Sequence, residues 1–189
     1  NGSQARGTGT LNLTDSGLVT VSSTTKLWST GTFNLNGGNL TTGSFDNTDL
    51  GTLNFHDGTL TVNGAGGTFN PGTTDFTLDG SAVTEVPELV IANTVSATLS
   101  GDLTVGANKQ GRLAIQTGAV VSNNRSYVGL YSGSSGTATV TDFGSQWNTT
   151  GNRVVGYWGD GTLNVMAGGV VSNSDTGFVG YKSGSTGAA

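Results

Sequence analysis

The sequence predicts an all-β solenoid, in which the chain winds through a stack of short coils. Composition is the first of three observations. The 189 residues include 33 Gly but only 2 Pro and no Cys, and 10% are charged, against roughly 25% in an average soluble domain. β-branched and turn-forming residues outnumber good helix formers. A disordered chain of this bias would be rich in Pro or strongly charged, so we expect an ordered chain of strands and turns.

A recurring tract is the second observation, and self-similarity along a chain indicates a repeat architecture. The tract is Gly, small polar, apolar, small polar, apolar, and it begins at Gly9, Gly31, Gly51, Gly67, Gly111, Gly136 and Gly161. Its spacing is 22, 20 and 16 residues in the first half and 25 residues in the second. If each tract opens one coil, the chain forms roughly eight coils of about 16–26 residues.

Strict alternation inside each unit is the third observation, because a period of two indicates a half-buried strand. The clearest unit has three such strands, at Leu163–Val165, Val170–Ser172 and Phe178–Gly180. One coil cannot bury its own apolar face, so we expect it to stack on its neighbours at the inter-strand spacing of about 4.8 Å. Gly and Asn would occupy the corners, where positive φ is needed.

The chain divides into three segments by the regularity of these repeats. Residues 1–70 carry shorter strand repeats, residues 71–110 form irregular transition coils, and residues 111–189 carry the regular repeats. Within the irregular segment we predict strands at Leu89–Ala92, Ala97–Leu99 and Leu103–Val105. Pro71 and Pro87 each remove a ladder donor there. The alternative interpretation of this segment is a domain boundary; otherwise the chain is one solenoid domain.

Two side-chain types have predicted positions in the stack. Trp28 and Trp147 are expected to act as wedges at coil corners. Asn side chains that recur at one offset from the glycine tract are expected to stack and to hydrogen-bond along the column; they are Asn12, Asn34, Asn54, Asn70 and Asn164.

Neither end of the sequence shows a cap, although an open terminal coil exposes unpaired backbone and apolar side chains. Residues 1–11 are interpreted as a loop that precedes a strand, and the segment after Lys182 as the same kind of loop. We therefore expect either a window from a longer array or copies that stack end to end, since joining unlike surfaces without closure makes a fibre.

Charge and hydropathy exclude several function classes. The net charge of −5 and the scattered Arg and Lys leave no basic surface for nucleic acid. No apolar run approaches the roughly 20 residues of a membrane span. Without Cys there is no disulfide framework and no thiolate metal site, which suits an exported protein.

The second half resembles a known bacterial repeat. Its signature is the tract from Gly161 with Gly168-Gly-Val-Val-Ser-Asn and Phe178-Val-Gly-Tyr, together with Thr139-Val-Thr-Asp-Phe-Gly-Ser-Gln-Trp. This pattern is similar to the repeat shared by autotransporter (type V secretion) passenger domains and PEP-CTERM surface proteins, closely over Gly101–Ala189. The resemblance implies a right-handed parallel β-helix with an adhesive or structural role at the bacterial cell surface or outside the cell.

Catalytic chemistry on such a fold needs clustered carboxylates, as an acid/base pair or as calcium ligands. The 12 acidic residues are scattered, and the nearest pairs, Asp46/Asp49 and Glu85/Glu88, fall in predicted loops. His56 is the single histidine. We therefore predict no enzyme, no metal site and no cofactor.

Aromatic residues form the candidate binding surface. Tyr131 and Trp158 follow equivalent Val-Gly pairs, and Leu130, Tyr157 and Tyr181 stand one position earlier. If the alternation continues, one of these two columns faces outward. The candidate residues for stacking on sugar rings or on another solenoid are therefore Tyr131, Tyr157, Trp158 and Tyr181. Packing at coil corners is the alternative. The predicted function is thus an extracellular structural or adhesive solenoid and filament subunit, the alternative being a carbohydrate-binding or glycan-active β-helix.

Overall fold

The computed structural model describes residues 7–189, so the predicted loop at residues 1–6 lies outside the described part. Strands and turns make up this range, with no helix in it. The strands are β1 (Gly9–Lys26), β2 (Gly31–Asp46), β3 (Thr52–Val62), β4 (Thr68–Asn70), β5 (Phe76–Leu78), β6 (Glu88–Ile91), β7 (Ser96–Thr98), β8 (Leu103–Val105), β9 (Gln110–Ile115), β10 (Val120–Asn123), β11 (Ser126–Val128), β12 (Ser135–Thr141), β13 (Gln146–Thr149), β14 (Arg153–Val155), β15 (Asp160–Met166), β16 (Val170–Asn173), β17 (Gly177–Val179) and β18 (Thr186–Ala188).

All strand pairs are parallel, and all strands except β1, β5, β16, β17 and β18 pair with strands on both sides. The chain therefore forms a β-solenoid of about eight turns. This confirms the predicted fold class. From β3 onward the strands form three faces. Face 1 contains β3, β6, β9, β12, β15 and β18; face 2 contains β4, β7, β10, β13 and β16; face 3 contains β5, β8, β11, β14 and β17. In the first two coils β1 and β2 run through the corners, where the pairing register shifts.

Inward side chains form continuous apolar columns through the rod. On face 1 one column is Leu60, Leu89, Leu113, Ala138 and Leu163, each in register with the next. All five side chains are buried, as expected when each coil covers the apolar face of its neighbour. The first coils are filled instead by a chain of aromatic rings, Phe33, Phe45, Phe69 and Phe76, whose successive centroids are 6.4, 5.9 and 5.3 Å apart.

The glycine tract does not lie on the same face in every coil. The tracts at Gly111, Gly136 and Gly161 are in register on face 1. The tract at Gly67, however, leads into β4, which pairs with the end of β2 on face 2. In β3 it is Thr59, not the tract residues, that pairs with β6. The tract specifies a local strand after a glycine corner, and any face can use such a strand.

The asparagine column exists, but only in the first three coils. The Asn34 amide donates to Asn12 Oδ1 at 2.7 Å, and the Asn54 amide donates to Asn34 Oδ1 at 2.7 Å. Asn70 lies in β4 opposite Asp46, and Asn164 lies in β15 opposite Thr139. Neither residue joins the asparagine column, because its glycine tract lies on another face or pairs in another register.

The irregular segment contains the three predicted strands, each displaced by no more than one residue. β6, β7 and β8 pair with strands on both sides, so the ladders of faces 1 and 2 continue through residues 71–110. Both prolines stand outside strands, where no ladder donor is needed. Pro87 immediately precedes β6 and its carbonyl accepts from the Arg112 N–H at 3.0 Å. Residues 79–87 form a long loop between β5 and β6.

Trp28 lies at a corner, in the turn between β1 and β2, but the prediction for Trp147 is wrong. Trp147 lies within β13, points inward and is fully buried. Its indole Nε1 donates to Asn123 Oδ1 at 2.8 Å. The interior of the later coils is therefore partly polar. The alternation within Gln146-Trp-Asn-Thr did not predict polar groups inside the solenoid.

Beside Trp147, the solenoid buries Arg153, which is 4% exposed. The guanidinium carbon lies 4.0 Å from the Trp147 ring centroid. Nη2 donates to the carbonyls of Trp147 and Ser172 and to Thr149 Oγ1, whereas Nε and Nη1 have no acceptor. Within residues 7–189 no carboxylate pairs with it. Burial lowers the pKa of Arg153 to about 10, so the buried group is still a cation at pH 7.

We expect Arg153→Met to raise the free energy of unfolding at pH 7 by about 1–3 kcal/mol, because apolar replacement of a buried charge is often stabilising. The folded pKa lies below the unfolded value, so the unfolded chain binds more protons above about pH 10. Above about pH 10 the free energy of unfolding of the unsubstituted protein therefore rises with pH. The difference in stability between it and Arg153→Met becomes smaller in that range. Urea unfolding at pH 7 and above pH 10 measures both effects. Arg125→Met, at an exposed cation, is the control; a destabilised Arg153→Met at pH 7 contradicts the prediction.

Candidate functional site

A groove runs along the outer side of face 3. Alternation turns Phe76 and Leu78 of β5 into the core, which leaves Thr77 on the outside. The strand register then aligns Thr77 with Thr104 of β8 and with Tyr127 of β11. These three side chains form the floor of a cleft of about 460 Å³. The groove therefore crosses several coils in the direction of the solenoid axis.

The two walls of the groove differ in chemistry. One wall consists of Asp75 and Asp102, which stand at the corner that precedes the face 3 strands. The other consists of residues from the corner that follows these strands, namely Leu130, Tyr131, Tyr157 and Trp158. We call the whole the face 3 groove. It presents carboxylates on one side and aromatic rings on the other.

A glycine corner brings the aromatic wall over face 3. Gly129 and Gly156 have φ values of 75° and 74°, a conformation that Gly adopts at little cost. The chain leaves the strand there and continues the coil-to-coil ladder: the Tyr131 N–H donates to Ala107 O, and the Trp158 N–H donates to Leu130 O, both at 3.0 Å. Tyr131 and Trp158 are therefore held at equivalent places in successive coils.

The two aromatic columns have different surroundings. Tyr131 and Trp158 are 52% and 45% exposed. Tyr157, in the other column, is half-buried, with its ring centroid 6.1 Å from that of Tyr127 and 5.1 Å from that of Tyr181. Tyr181 packs against Phe178 at 4.6 Å and does not line the groove. Tyr131 and Trp158 thus face the solvent, and so does Tyr181, which is 41% exposed, whereas Tyr157 packs over face 3.

The acidic wall is held by a network with Arg125. The Arg125 guanidinium contacts Asp102 Oδ2 at 2.8 Å, and Arg125 Nε donates to Asp102 Oδ1 at 3.1 Å. The Asp102 N–H donates to Asp75 Oδ1 at 2.8 Å. Hydrogen bonding to Asp102 raises the pKa of Arg125, and burial raises the pKa of the Tyr127 hydroxyl. This wall thus offers hydrogen-bond acceptors beside the neutral phenol of Tyr127.

Sequence reasoning found the aromatic wall but missed Asp75, Asp102 and Tyr127. A signal was present, because both aspartates directly precede a face 3 strand, in Asp75-Phe76 and Asp102-Leu103. Because no strand was predicted at Phe76, the sequence did not show that Asp75 and Asp102 occupy equivalent positions in successive coils.

Of the two carboxylate pairs named from the sequence, Asp46, Asp49 and Glu85 have polar partners. The predicted loop position is wrong for Asp46, which ends β2, and for Glu88, which begins β6. Lys26 Nζ contacts Asp46 Oδ2 at 2.8 Å and Asp49 Oδ2 at 2.6 Å. Hydrogen bonds to these carboxylates raise the pKa of Lys26. Burial opposes ionisation of Asp46, but the bonds from Lys26 and Thr48 outweigh it and lower the pKa of Asp46.

In the second pair, Glu85 accepts from the hydroxyl and N–H of Ser81 and from the Ala82 N–H. The Ser81 hydroxyl bond is the largest cause of a lowered pKa at Glu85. A carboxyl of this kind stabilises its own loop and is poorly suited to donate a proton as a general acid.

His56 lies in β3 at an interruption of the β2–β3 register. It lines a second cleft of about 300 Å³ with Phe55, Phe76 and Asp79, where β3 and β5 face each other without pairing. No group of three or more His, Cys, Asp or Glu side chains is placed to hold a metal ion within residues 7–189. In the same range no helix is long and apolar enough to cross a membrane.

Both ends of the described solenoid expose interior-type side chains. Val165 and Val179 stand in register with the buried Val140 and Val155 but are about half exposed. At the other end, Leu11, Trp28 and neighbouring residues surround a cleft of about 500 Å³. The apolar columns therefore extend to both ends of the described solenoid, and their last side chains are exposed there.

Comparison with known proteins identifies no relative: no family model, no curated protein and no solved structure matches the chain.

Proposed function

We propose that the chain is a rigid structural or adhesive segment of an exported bacterial surface protein, located outside the cell or on its surface. The parallel ladders support a mechanical role, because every inner coil of the described solenoid is hydrogen-bonded to the coils on both sides of it. The repeat pattern of the second half, which resembles that of surface-displayed passenger domains, supports the location. The role we propose requires neither catalysis nor a cofactor.

We further propose that another coil covers the last coil of the described solenoid, supplied either by continuation in a longer chain or by a second copy that stacks end to end as a filament subunit. The observation that supports this step is the open interior of the last coils, where Val165 and Val179 continue buried columns without a covering layer. Open parallel strands with an apolar face favour the addition of another coil. A second copy can supply that coil through its first strand, β1, which has a free edge in the described range.

Sedimentation of the 189-residue chain across a range of concentrations tests end-to-end stacking. We expect the unsubstituted chain to form assemblies whose mass increases with concentration, and we expect Val179→Lys to shift them to monomers by placing an unpaired charge in the contact. Val83→Lys is the matched control, because Val83 is equally apolar and 67% exposed but lies in the loop between β5 and β6. A monomer at every concentration, or equal effects of both substitutions, would refute the stacking.

A further inference from the structure

We propose that the face 3 groove binds a neutral polysaccharide chain lying along the solenoid axis. This proposal goes beyond the mechanical role and does not depend on it, because the groove is formed within one copy. Its lining combines exposed aromatic rings with carboxylates and hydroxyls, and this combination matches a sugar better than it matches other ligand classes.

The aromatic wall supplies platforms for sugar rings. Tyr131 and Trp158 are each about half exposed and occupy equivalent positions in successive coils. Stacked coils are about 4.8 Å apart, which is comparable with the length of one pyranose unit. The C–H bonds of a pyranose face pack against the π-face of an aromatic ring, while the ring plane excludes water. Two platforms in successive coils suit a linear chain that runs parallel to the axis.

The opposite wall supplies partners for sugar hydroxyls. Asp75 and Thr77 are exposed at the groove. Among residues 7–189, the side chain of Asp75 accepts one hydrogen bond, at Oδ1 from the Asp102 N–H. Carboxylate oxygens are strong acceptors for hydroxyl donors. An apolar protein segment in this groove would desolvate Asp75 without giving it a partner, which costs free energy. A hydroxylated ligand is therefore favoured over a hydrophobic one.

The charges around the face 3 groove favour an uncharged polysaccharide. Asp75 and Asp102 line the groove. Of the two cations beside it, Arg125 already pairs with Asp102, and Lys182 stands over the rings of Tyr157 and Trp158 on the other wall. Uronates would bring like charge toward Asp75, in a chain whose net charge is −5. Repulsion of this kind disfavours an acidic polysaccharide.

The aromatic platform is also preorganised. The Trp158 ring lies 5.9 Å from the Tyr157 ring in an edge-to-face arrangement. Lys182 Nζ lies 5.7 Å from the Trp158 centroid and 5.8 Å from the Tyr157 centroid, within the range of a cation–π contact. Because these neighbours restrict the indole before a ligand arrives, less conformational entropy is lost on binding.

Affinity electrophoresis in gels that contain a soluble polysaccharide tests the proposal. The probes are hydroxyethyl cellulose, galactomannan and soluble starch as neutral chains and polygalacturonate as an acidic chain. We expect at least one neutral polysaccharide to retard the protein and polygalacturonate not to do so. Trp158→Ala and Tyr131→Ala should each weaken the interaction roughly three- to tenfold, in line with the loss of one aromatic contact.

Trp28→Ala is the matched control. Trp28 is 37% exposed and has Lys26 Nζ 4.7 Å from its ring, but it lies far along the rod at the first turn. This variant should bind like the unsubstituted protein, and far-ultraviolet circular dichroism should show that all variants keep their strands. Asp75→Asn, which retains the size of the side chain, should also weaken binding of the neutral chain.

Several outcomes would overturn the proposal. They are the absence of retardation by all three neutral polysaccharides, binding of polygalacturonate alone, and loss of binding in Trp28→Ala equal to that in Trp158→Ala. If Trp158→Ala abolishes self-association in sedimentation instead, the groove is a contact between copies and not a glycan site. Because Val179→Lys tests the stacking at the exposed last coil and not in the groove lining, failure of either proposal can be distinguished from failure of the other.

Discussion

Gly129→Ala is expected to lower the free energy of unfolding by about 3 kcal/mol. Two costs combine at this corner. Gly129 has φ of 75°, and an added Cβ would lie 2.2 Å from the Asp160 carbonyl oxygen in the next coil. A side chain at positive φ costs roughly 1–2 kcal/mol, and forced overpacking costs about 1–3 kcal/mol. The contacting atom belongs to the backbone, so the clash is relieved only by separating two coils. Urea unfolding followed by circular dichroism measures the change.

Gly133→Ala separates the two costs at Gly129. Gly133 has φ of 82°, but an added Cβ there would have no atom within 4 Å. We expect this control to cost only about 1 kcal/mol, the conformational part alone. The difference between the variants then measures how closely adjacent coils approach at the Val-Gly corner. Equal destabilisation by the two substitutions would show that the coils do not meet there.

Phe45→Ala is expected to lower the free energy of unfolding by about 3–5 kcal/mol, the usual cost of truncating a buried aromatic side chain. Phe45 is fully buried, and its ring stands between those of Phe33 and Phe69. Its removal opens a cavity in the first coils, where the interior is only a few side chains wide. Phe143→Ala, at a 91% exposed corner residue, should change stability by less than about 0.5 kcal/mol.

The effect of Phe45→Ala should also be local, because each coil of a solenoid contacts only its neighbours. Hydrogen exchange is expected to accelerate most in β1, β2 and β4 and least in β12 to β17. Uniform acceleration along the whole rod would indicate that the solenoid unfolds as one cooperative unit and would contradict the local picture.

Local sequence patterns predicted individual strands well. β6, β7 and β8 lie within one residue of their predicted positions, although their segment lacks the glycine tract. Alternation alone was sufficient, because an inward residue such as Leu89 or Ile91 must be followed by an outward one in any extended strand. The Asn12–Asn34–Asn54 ladder was equally accessible, because two successive coils of nearly equal length keep these residues in register.

The sequence did not reveal which residues of successive coils stand next to each other. On face 3 the register pairs Phe76 with Leu103, Leu103 with Ser126 and Ser126 with Arg153. These steps are 27, 23 and 27 residues, since the corner loops differ in length. A fixed period therefore could not bring Asp75, Asp102 and Tyr127 to one groove, and it did not indicate that the strand after Gly67 pairs on face 2.

Short strands, turns at glycine corners and stacking into coils all follow from the amino-acid sequence, because alternation and turn chemistry act between neighbouring residues. Which corners meet across coils depends instead on the folded chain. That choice depends on the summed lengths of loops and on what fills the narrow interior, where Trp147 and Arg153 share space that small residues such as Ser126 and Gly177 leave open. The face 3 groove is a product of this long-range register.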